Sequence, residues 1–251
     1  MRAVLAMCGV ICTMSTAIAE DTSFVDSFKS FDAEAWSKAD YTPSHPWFDT
    51  RWSARHALID DGLVLKLEPD GGMKGFVSGA LRRQEPTGFG RYAAVIQPAR
   101  GDGLITGFFT YTGPYYGTRH DEIDIEFLGR DTTVMQVSVF VDGEQRMAKV
   151  PLGFDAADRP RAYSFDWLPD RVVWYVDGHE VHRMTLDDGP LPEVPSMLFA
   201  NLWAGTPEIQ NWSGLAQEQA AADVMIACLS FIPGEEDTAF SPESHLPCPA
   251  K

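Results

Sequence analysis

Apolar and polar residues alternate in short runs along most of the chain, and Gly, Pro, Asn or Asp residues separate the runs. Successive side chains of a β-strand point to opposite faces, so a period of two indicates half-buried strands. Helical periodicity is scarce, and the pattern predicts one short helix over 214–222. We predict strands over 63–67, 92–96, 105–111, 122–127, 134–141, 161–167, 172–176, 180–185, 197–203 and 224–231. This all-β pattern is typical of a two-sheet β-sandwich of the jelly-roll kind.

The strand predicted over 122–127 strictly alternates acidic and apolar residues. Ile123, Ile125 and Phe127 are expected to enter the core, and the acids then share the opposite face. Acidic residues are poor strand formers and like charges on one face repel each other. Because an ordinary solvated face usually mixes charge signs, three acids without a basic neighbour indicate a functional site. These candidate catalytic residues are Glu122, Asp124 and Glu126.

Two carboxyl groups that act on one bond are the machinery of glycoside hydrolysis. In a straight strand the backbones of Glu122 and Glu126 would lie roughly 13 Å apart, whereas a retaining mechanism needs carboxyl groups about 5–5.5 Å apart. We therefore expect the acids to line the hollow face of a curved sheet, which would also form a groove for a long chain. Asp124 between them would raise the proton affinity of a neighbour.

Aromatic residues near the acid strand fit a carbohydrate groove, because flat side chains stack on the apolar faces of sugar rings. Core packing is the alternative for each of them, and it is expected for Trp174, Phe165 and Phe199. The groove candidates are Tyr41, Trp47, Trp52, Phe109, Tyr111, Trp203 and Trp212.

The N-terminal segment predicts export and cleavage of a signal peptide. Residues 1–19 resemble a secretory signal, with Arg2, a short apolar stretch and a small-residue site that predicts cleavage after Ala19. The domain boundaries follow: a signal peptide over 1–19, a catalytic domain over 20–232, and a loose, acidic and Pro-rich tail over 233–251. We expect a secreted or periplasmic protein that spans no membrane and is a monomer.

The net charge limits the classes of molecule that the protein could bind, and the cysteine content limits its possible disulfides and metal sites. The chain of 251 residues has a formal net charge of −16, which disfavours nucleic acid and anionic membranes as partners and is compatible with a neutral polysaccharide. Cys228 and Cys248 remain after signal removal and could form a disulfide or stay as two free thiols. No zinc-site spacing is present.

The segment Glu122-Ile-Asp-Ile-Glu126 resembles the catalytic signature of glycoside hydrolase family 16, in the form without an inserted residue before the last Glu. That form is similar to the licheninase branch and to related succinoglycan-cleaving endo-glycanases. The resemblance covers residues 24–231 and is carried by Phe108–Pro114, Asp121–Gly129, Asp131–Thr133, Leu152–Ala157, Phe165–Trp167, Trp174–Gly178 and Asn201–Trp203.

The resemblance implies a curved, concanavalin A-like jelly roll with an open substrate cleft on its concave face. It also implies retaining hydrolysis of internal β-1,3-1,4 or β-1,4 glycosidic bonds, in a β-glucan or a bacterial exopolysaccharide such as succinoglycan. Glu122 would be the nucleophile, Asp124 the assisting carboxylate and Glu126 the acid/base. The positions matching sugar contacts are Tyr41, Arg82, Phe109, Tyr111, Gln136, Asn201 and Trp203.

Several positions depart from the licheninase pattern while the three acids are intact. Ala80 replaces a substrate-contacting Glu, and His120 replaces a Trp. His120 could pair with a substrate acid group, bind a sugar hydroxyl or be a bystander, and we favour sugar contact. Ser138 and Phe140 replace other cleft residues. Ile226 stands where a calcium-binding Asp is expected, so no cofactor is predicted and a structural calcium ion is doubtful.

Three alternatives stay open at the level of sequence. The first is a carbohydrate-binding protein without catalysis, since the same sandwich serves lectins. The second is an enzyme for laminarin, agar or carrageenan, although the signature without the insertion disfavours laminarin. The third is a transglycosylase, which shares the covalent intermediate and differs in the acceptor.

Overall fold

The computed structural model describes residues 23–235, 238 and 240–245. The predicted signal segment and Cys248 lie outside these residues. Seventeen strands account for about half of the described residues. They are β1 (Phe24–Asp26), β2 (Trp36–Lys38), β3 (Thr50–Trp52), β4 (Ala57–Ile59), β5 (Leu63–Pro69), β6 (Phe76–Ser78), β7 (Ala80–Arg83), β8 (Gly90–Gln97), β9 (Leu104–Thr112), β10 (Asp121–Leu128), β11 (Val134–Val141), β12 (Glu144–Pro151), β13 (Arg161–Leu168), β14 (Arg171–Val176), β15 (His179–Thr185), β16 (Met197–Ala204) and β17 (Ala222–Pro233).

The strands form two packed sheets. One sheet has the order β15-β14-β13-β8-β17-β5-β6-β3, with β1 paired to β17 and β4 paired to β5. The other has seven strands in the order β12-β11-β10-β9-β16-β7-β2. Nearly all pairs are antiparallel, and the exception is β3 with β6. The acid strand β10 therefore lies inside the seven-stranded sheet, flanked by β9 and β11.

The core fills the space between the sheets. Ile123, Ile125 and Phe127 are buried in it, as the alternation predicted. Trp174 and Phe165 from the ten-stranded sheet are also fully buried, which confirms their expected core role. The alternation therefore leaves Glu122, Asp124 and Glu126 on the face of the seven-stranded sheet that points away from the core.

Tight turns connect neighbouring strands where Asp-Gly pairs occur. Asp177 and Gly178 have φ values of 48° and 79°, and Asp142 and Gly143 have 52° and 84°. Two consecutive left-handed residues are the requirement of a type I′ hairpin turn, which the Asp-Gly pair meets at low cost. These turns fix the registers of β14 with β15 and of β11 with β12.

Helices are few and short. The expected helix over 214–222 is wrong, because the α-helix α1 spans Gln210–Ser213 and ends before Gly214, whose φ is 81°. Short 3₁₀ helices cover Ala54–His56, Pro114–Tyr116, Ala156–Asp158, Leu186–Asp188, Pro207–Ile209 and Pro242–His245. Within the described residues no helix is long and apolar enough to span a membrane.

The described part of the C-terminal tail packs on the ten-stranded sheet, so the expectation of a loose tail is wrong for residues 240–245. His245 is 5% exposed, accepts or donates a 2.8 Å hydrogen bond with Ser164 and lies against the ring of Tyr175. The Arg91 guanidinium donates to the Ser241 carbonyl and lies under the Phe240 ring. Polar and aromatic contacts fix the tail, and composition alone does not reveal them.

Candidate active site

A residue of the ten-stranded sheet holds the acid strand β10 in place from the core side. Trp174 is fully buried and its indole Nε1 donates a 3.0 Å hydrogen bond to the backbone carbonyl of Asp124. This bond crosses the core and holds the middle of β10. The registers then place Tyr111 and Phe140 beside Glu122, on β9 and β11 respectively.

Asp124 is the most deeply placed of the three acids, at 4% exposed. It accepts a 2.5 Å hydrogen bond from the Ser138 hydroxyl across the β10–β11 pair, and its side chain is hydrogen-bonded to that of Glu122. Ser138, one of the departures from the licheninase pattern, therefore supports the central acid. The charges of Asp124 and Glu122 act on each other, so the proton affinity of each depends on the other.

Burial and mutual repulsion raise the proton affinity of all three acids. Burial, with the charge of Glu126, raises the pKa of Glu122 to about 8. Burial, with the charge of Asp124, raises the pKa of Glu126 to about 8. Burial and the charge of Glu122 raise the pKa of Asp124 well above its ordinary value. The cluster therefore retains protons near neutral pH, which is what a general acid needs.

His120 lies at the end of the acid cluster. Its Nε2 is 2.6 Å from Oε2 of Glu122, so this nitrogen is engaged by the candidate nucleophile. The ring stacks on Phe140, with centroids 4.8 Å apart and planes tilted by 15°. Sequence analysis assigned His120 to sugar contact and did not anticipate the bond to Glu122.

Aromatic and cationic residues lie near Glu122 on the groove face, which is the acid-bearing outer face of the seven-stranded sheet. The guanidinium of Arg82 donates a 3.1 Å hydrogen bond to the Tyr116 hydroxyl, and Tyr116 contacts the edge of Tyr111. Tyr41 is 59% exposed, and Tyr115 is 84% exposed against Tyr116. Sequence analysis missed Tyr115 and Tyr116, although two aromatic residues after a Gly-Pro turn are a signal that could have identified them.

The middle of the groove face carries a pair of stacked phenylalanines. The rings of Phe109 and Phe199 are 5.1 Å apart and tilted by 9°, and Phe109 is the cross-strand neighbour of Asp124. The expectation of Phe199 as a core residue is wrong, since its register opposite Arg82 and Phe109 places it on the groove face. The sequence shows that side chains alternate along β16, but it does not show which of the two faces is buried.

The Glu126 end contains the remaining predicted residues. Gln136 lies opposite Glu126 in the β10–β11 pair, and its Oε1 accepts a 2.9 Å bond from the indole of Trp212. Trp203 is largely covered, with its ring 4.4 Å from that of Phe48. Phe48 was not anticipated from the sequence.

Gly107 lies in β9 between Glu126 of β10 and Asn201 of β16, and it is the cross-strand neighbour of both residues. The buried Oδ1 of Asn201 has no hydrogen-bond partner in the described part of the chain. An unpaired buried acceptor is costly, so a ligand hydroxyl that reached it would relieve that cost. The missing side chain at Gly107 keeps this acceptor uncovered.

Replacing Gly107 with alanine is expected to weaken substrate binding. A Cβ there would lie 2.7 Å from Oδ1 of Asn201 and 3.3 Å from the Phe109 ring, so Asn201 must shift. We expect a rise in KM and a loss of about 1–3 kcal/mol in the free energy of unfolding. Gly88→Ala is the matched control, because nothing lies within 4 Å of a Cβ built there. Equal KM values in the two variants would contradict the role of Gly107.

A second buried carboxylate, that of Asp121, holds the first residue of β10 in place. This structural role was not anticipated from the sequence. Asp121 is fully buried and receives two hydrogen bonds from Arg119, of 2.9 and 3.0 Å. The backbone amides of Glu193 and Val194 also donate to it. These donors hold the pKa of Asp121 below its ordinary value despite burial. The loop before β16 is thereby tied to the loop before β10.

The residues considered for a calcium site and for a disulfide both lie in β17 of the ten-stranded sheet. Ile226 is buried in β17, and no group of three or more His, Cys, Asp or Glu residues in the described ranges could hold a metal ion. Cys228, also in β17, is disulfide-bonded. Its predicted partner Cys248 lies outside the described residues, so that pairing stays a prediction.

A two-sheet sandwich with a file of three acids on its outer face defines a carbohydrate-active class of protein. The model of the glycosyl hydrolases family 16 matches residues 44–223, and the chain belongs to glycoside hydrolase family 16. The protein is thus a glycoside hydrolase.

Its relatives include bacterial β-glucanases. A β-glucanase of Bacillus amyloliquefaciens is 36% identical over 212 residues, which cover 84% of this chain and 86% of the relative. A β-glucanase of Bacillus subtilis (strain 168) is 38% identical over 194 residues, covering 76% and 78%.

Solved structures agree with the fold. The β-glucanase of Bacillus licheniformis has a TM-score of 0.80 and 33% identity, covering 84% of this chain and 98% of that one. A prokaryotic β-1,3-1,4-glucanase (lichenase) from a mouse hindgut metagenome has the same TM-score and identity, covering 84% and 99%. These likenesses confirm the predicted jelly-roll sandwich.

Proposed function

We propose that the protein is a retaining endo-β-glycanase that hydrolyses internal bonds of a β-1,3-1,4-linked glucan. The observation that carries the proposal is the file Glu122, Asp124 and Glu126 on the groove face of β10, in a chain similar to bacterial β-glucanases. Glu122 attacks the anomeric carbon, and Glu126 gives its proton to the departing glycosidic oxygen. Glu126 then removes a proton from the water that releases the sugar.

The surroundings of the acids support these roles. Asp124 is held by Ser138, and its proton affinity depends on the charge of Glu122, so it can respond as Glu122 becomes esterified. The aromatic residues at both ends of the acid file offer stacking surfaces for several sugar rings. Tyr41, Arg82, Phe109, Tyr111, Gln136, Asn201 and Trp203 are proposed to contact the glycan.

The proposal is tested by reducing-end release from barley β-glucan, lichenan, laminarin, agar, carrageenan and a succinyl-decorated exopolysaccharide. We expect cleavage of the first two, with shortening of the polymer before small products accumulate. NMR of the first product should show the β-anomer, as retention requires. Binding without cleavage of any glycan would favour the lectin alternative, and chain-lengthened products would favour transglycosylation.

A succinylated or pyruvylated exopolysaccharide is a second candidate substrate. Arg82 lies at the Glu122 end, and no carboxylate forms an ion pair with it within the described ranges. A cation free of protein acids could bind an anionic substituent. Faster cleavage of the decorated polymer than of barley β-glucan, reversed by Arg82→Gln, would support this candidate.

Activity is expected to fall as pH rises through about 8, where burial and Asp124 place the pKa of Glu126. Glu126 must carry a proton to release the leaving group, and that proton is lost above its pKa. The measurement is kcat/KM against pH on barley β-glucan. An alkaline limb near the ordinary Glu pKa would contradict this assignment.

Export is proposed together with the activity. A polysaccharide substrate is outside the cell, and the small-residue site at Ala17-Ile-Ala19 would give a mature chain that begins at Glu20. N-terminal sequencing of the protein from a culture medium or periplasmic fraction tests this.

A further inference from the structure

The imidazole of His120 is fixed beside Glu122 by the same residues that flank that acid. Tyr111 and Phe140 are the two cross-strand neighbours of Glu122. His120 stacks on Phe140 and meets the edge of Tyr111, with ring centroids 5.2 Å apart. One frame of aromatic rings therefore holds both partners of the 2.6 Å contact between Nε2 and Oε2.

The backbone of His120 is held as well. Its carbonyl accepts a 3.0 Å hydrogen bond from the amide of Gly143, in the tight turn between β11 and β12. The next residue, Asp121, is fully buried and bonded to two loops. A side chain that only met substrate would need neither this anchoring nor the bond to an acid, so the geometry is that of a support for Glu122.

We propose that His120 is a positioning residue for Glu122: the Nε2–H of the neutral imidazole donates to Oε2 of Glu122 and fixes the carboxylate that attacks the anomeric carbon. The inference rests on the proposed function of the acids. A hydrogen bond donated to Glu122 favours its ionised form, which is the form that attacks the anomeric carbon.

Every proton is accounted for in both steps, the formation and the hydrolysis of the glycosyl-enzyme intermediate. Before attack Glu122 is a carboxylate, and the neutral imidazole of His120 donates its Nε2–H to it. Glu122 forms the bond to the anomeric carbon while the glycosidic bond breaks, and the proton of Glu126 goes to the leaving oxygen. Water then replaces Glu122 at that carbon and gives a proton to Glu126, while His120 keeps its proton throughout.

Other charged groups around His120 do not replace Glu122 as its partner. Burial lowers the pKa of the His120 imidazole, and Asp121, on the opposite face of the strand, offsets part of this effect while it is bonded to Arg119. Arg119 is also paired with Glu193, and the charge of Asp142 in the β11–β12 turn acts on Arg119. From β9, Tyr111 stays neutral because burial and Glu122 raise its pKa. From β11, Phe140 carries no charge, and along β10 the acids beyond Glu122 are Asp124 and Glu126.

Two substitutions separate the charge from the hydrogen bond. His120→Gln keeps an N–H donor and loses the titrating group, whereas His120→Phe keeps only the ring on Phe140. We expect kcat to fall about tenfold in the first and about 100-fold in the second, with KM changed less than about twofold. The acid limb of kcat/KM should move up by about one pH unit in His120→Phe and by less in His120→Gln, because only His120→Phe loses the hydrogen bond that favours the ionised form of Glu122.

His179→Gln is the matched control, since His179 is exposed on β15 in the other sheet. It should leave the pH profile unchanged. A rise in KM at constant kcat in the His120 variants would assign His120 to sugar contact and overturn the proposal, as would an acid limb that does not move.

A second measurement needs no substrate. In protein labelled with ¹⁵N-histidine, NMR titration should give an imidazole pKa for His120 that falls by at least about one unit in Glu122→Gln. Equal titrations in the two proteins would overturn the pairing. A protein with this coupling that cleaves no glycan contradicts the proposed function, and a glycan-cleaving protein without the coupling contradicts the role of His120.

Discussion

Replacing Glu122 with glutamine is expected to lower kcat on barley β-glucan by at least about 10³-fold. The amide has almost the same shape as the carboxyl group but cannot form the covalent bond to the anomeric carbon. The bond from Ser138 to Asp124 does not involve Glu122 and should persist. Binding of the polymer should survive, so affinity electrophoresis in gels containing β-glucan should still retard the variant. Retained turnover would contradict the assignment of the nucleophile.

The same substitution is expected to stabilise the fold. Burial raises the pKa of Glu122 to about 8, so the folded state disfavours its ionised form. For such an acid the folded state loses stability as pH rises from the unfolded pKa to the folded one. The Tm of Glu122→Gln should therefore exceed that of the wild type by a margin that grows from about pH 5 to about pH 8. Glu144→Gln, on the exposed end of β12, is the matched control and should change neither kcat nor the pH dependence of Tm.

Strands with a buried apolar face were predictable from sequence, and strands without one were not. The range 134–141 is reproduced by β11 to the residue, and β10 differs from its prediction by one residue at each end. The edge strand β12 was missed because it is largely exposed and polar, so it lacks the alternation that a half-buried strand shows. Its existence depends on pairing with β11, a tertiary contact.

The acid file was predictable, but its supporting contacts were only partly so. Alternation alone places Glu122 and Asp124 on one face. The bonds from His120 and Ser138 depend on cross-strand register, which a single sequence does not specify. Phe199 was wrongly assigned to the core for the same reason, because the sequence does not show which face of β16 is buried.

Beneath the tail, an ion pair in the ten-stranded sheet is expected to have a large effect on stability. Arg91 and Asp166 are cross-strand neighbours on β8 and β13 and are both nearly fully buried. Two parallel hydrogen bonds join them, of 2.6 and 2.7 Å. The remaining Arg91 donor reaches the Ser241 carbonyl and the Ser244 hydroxyl, so the pair also anchors the tail.

Asp166→Ala is expected to lower the free energy of unfolding by about 3–5 kcal/mol, because it leaves the buried Arg91 charge without its counter-ion. For a chain of this size that corresponds to a Tm lower by roughly 6–20 °C. Differential scanning calorimetry and urea titration measure both quantities. The exposed pair of Glu180 and Arg183 on β15 is the control, and Glu180→Ala should cost at most about 1 kcal/mol because solvent screens that pair.

Removing both buried charges distinguishes a counter-ion effect from lost packing. The double variant Arg91→Met/Asp166→Leu fills similar volume without charge and should recover most of the stability that Asp166→Ala loses. The Ser241 and Ser244 contacts of Arg91 would still be lost in the double variant, so proteolysis of the tail should become faster even where the Tm recovers. A double variant as unstable as Asp166→Ala would show that the guanidinium holds the sheet through its packing against Phe240 and Tyr175 rather than through its charge.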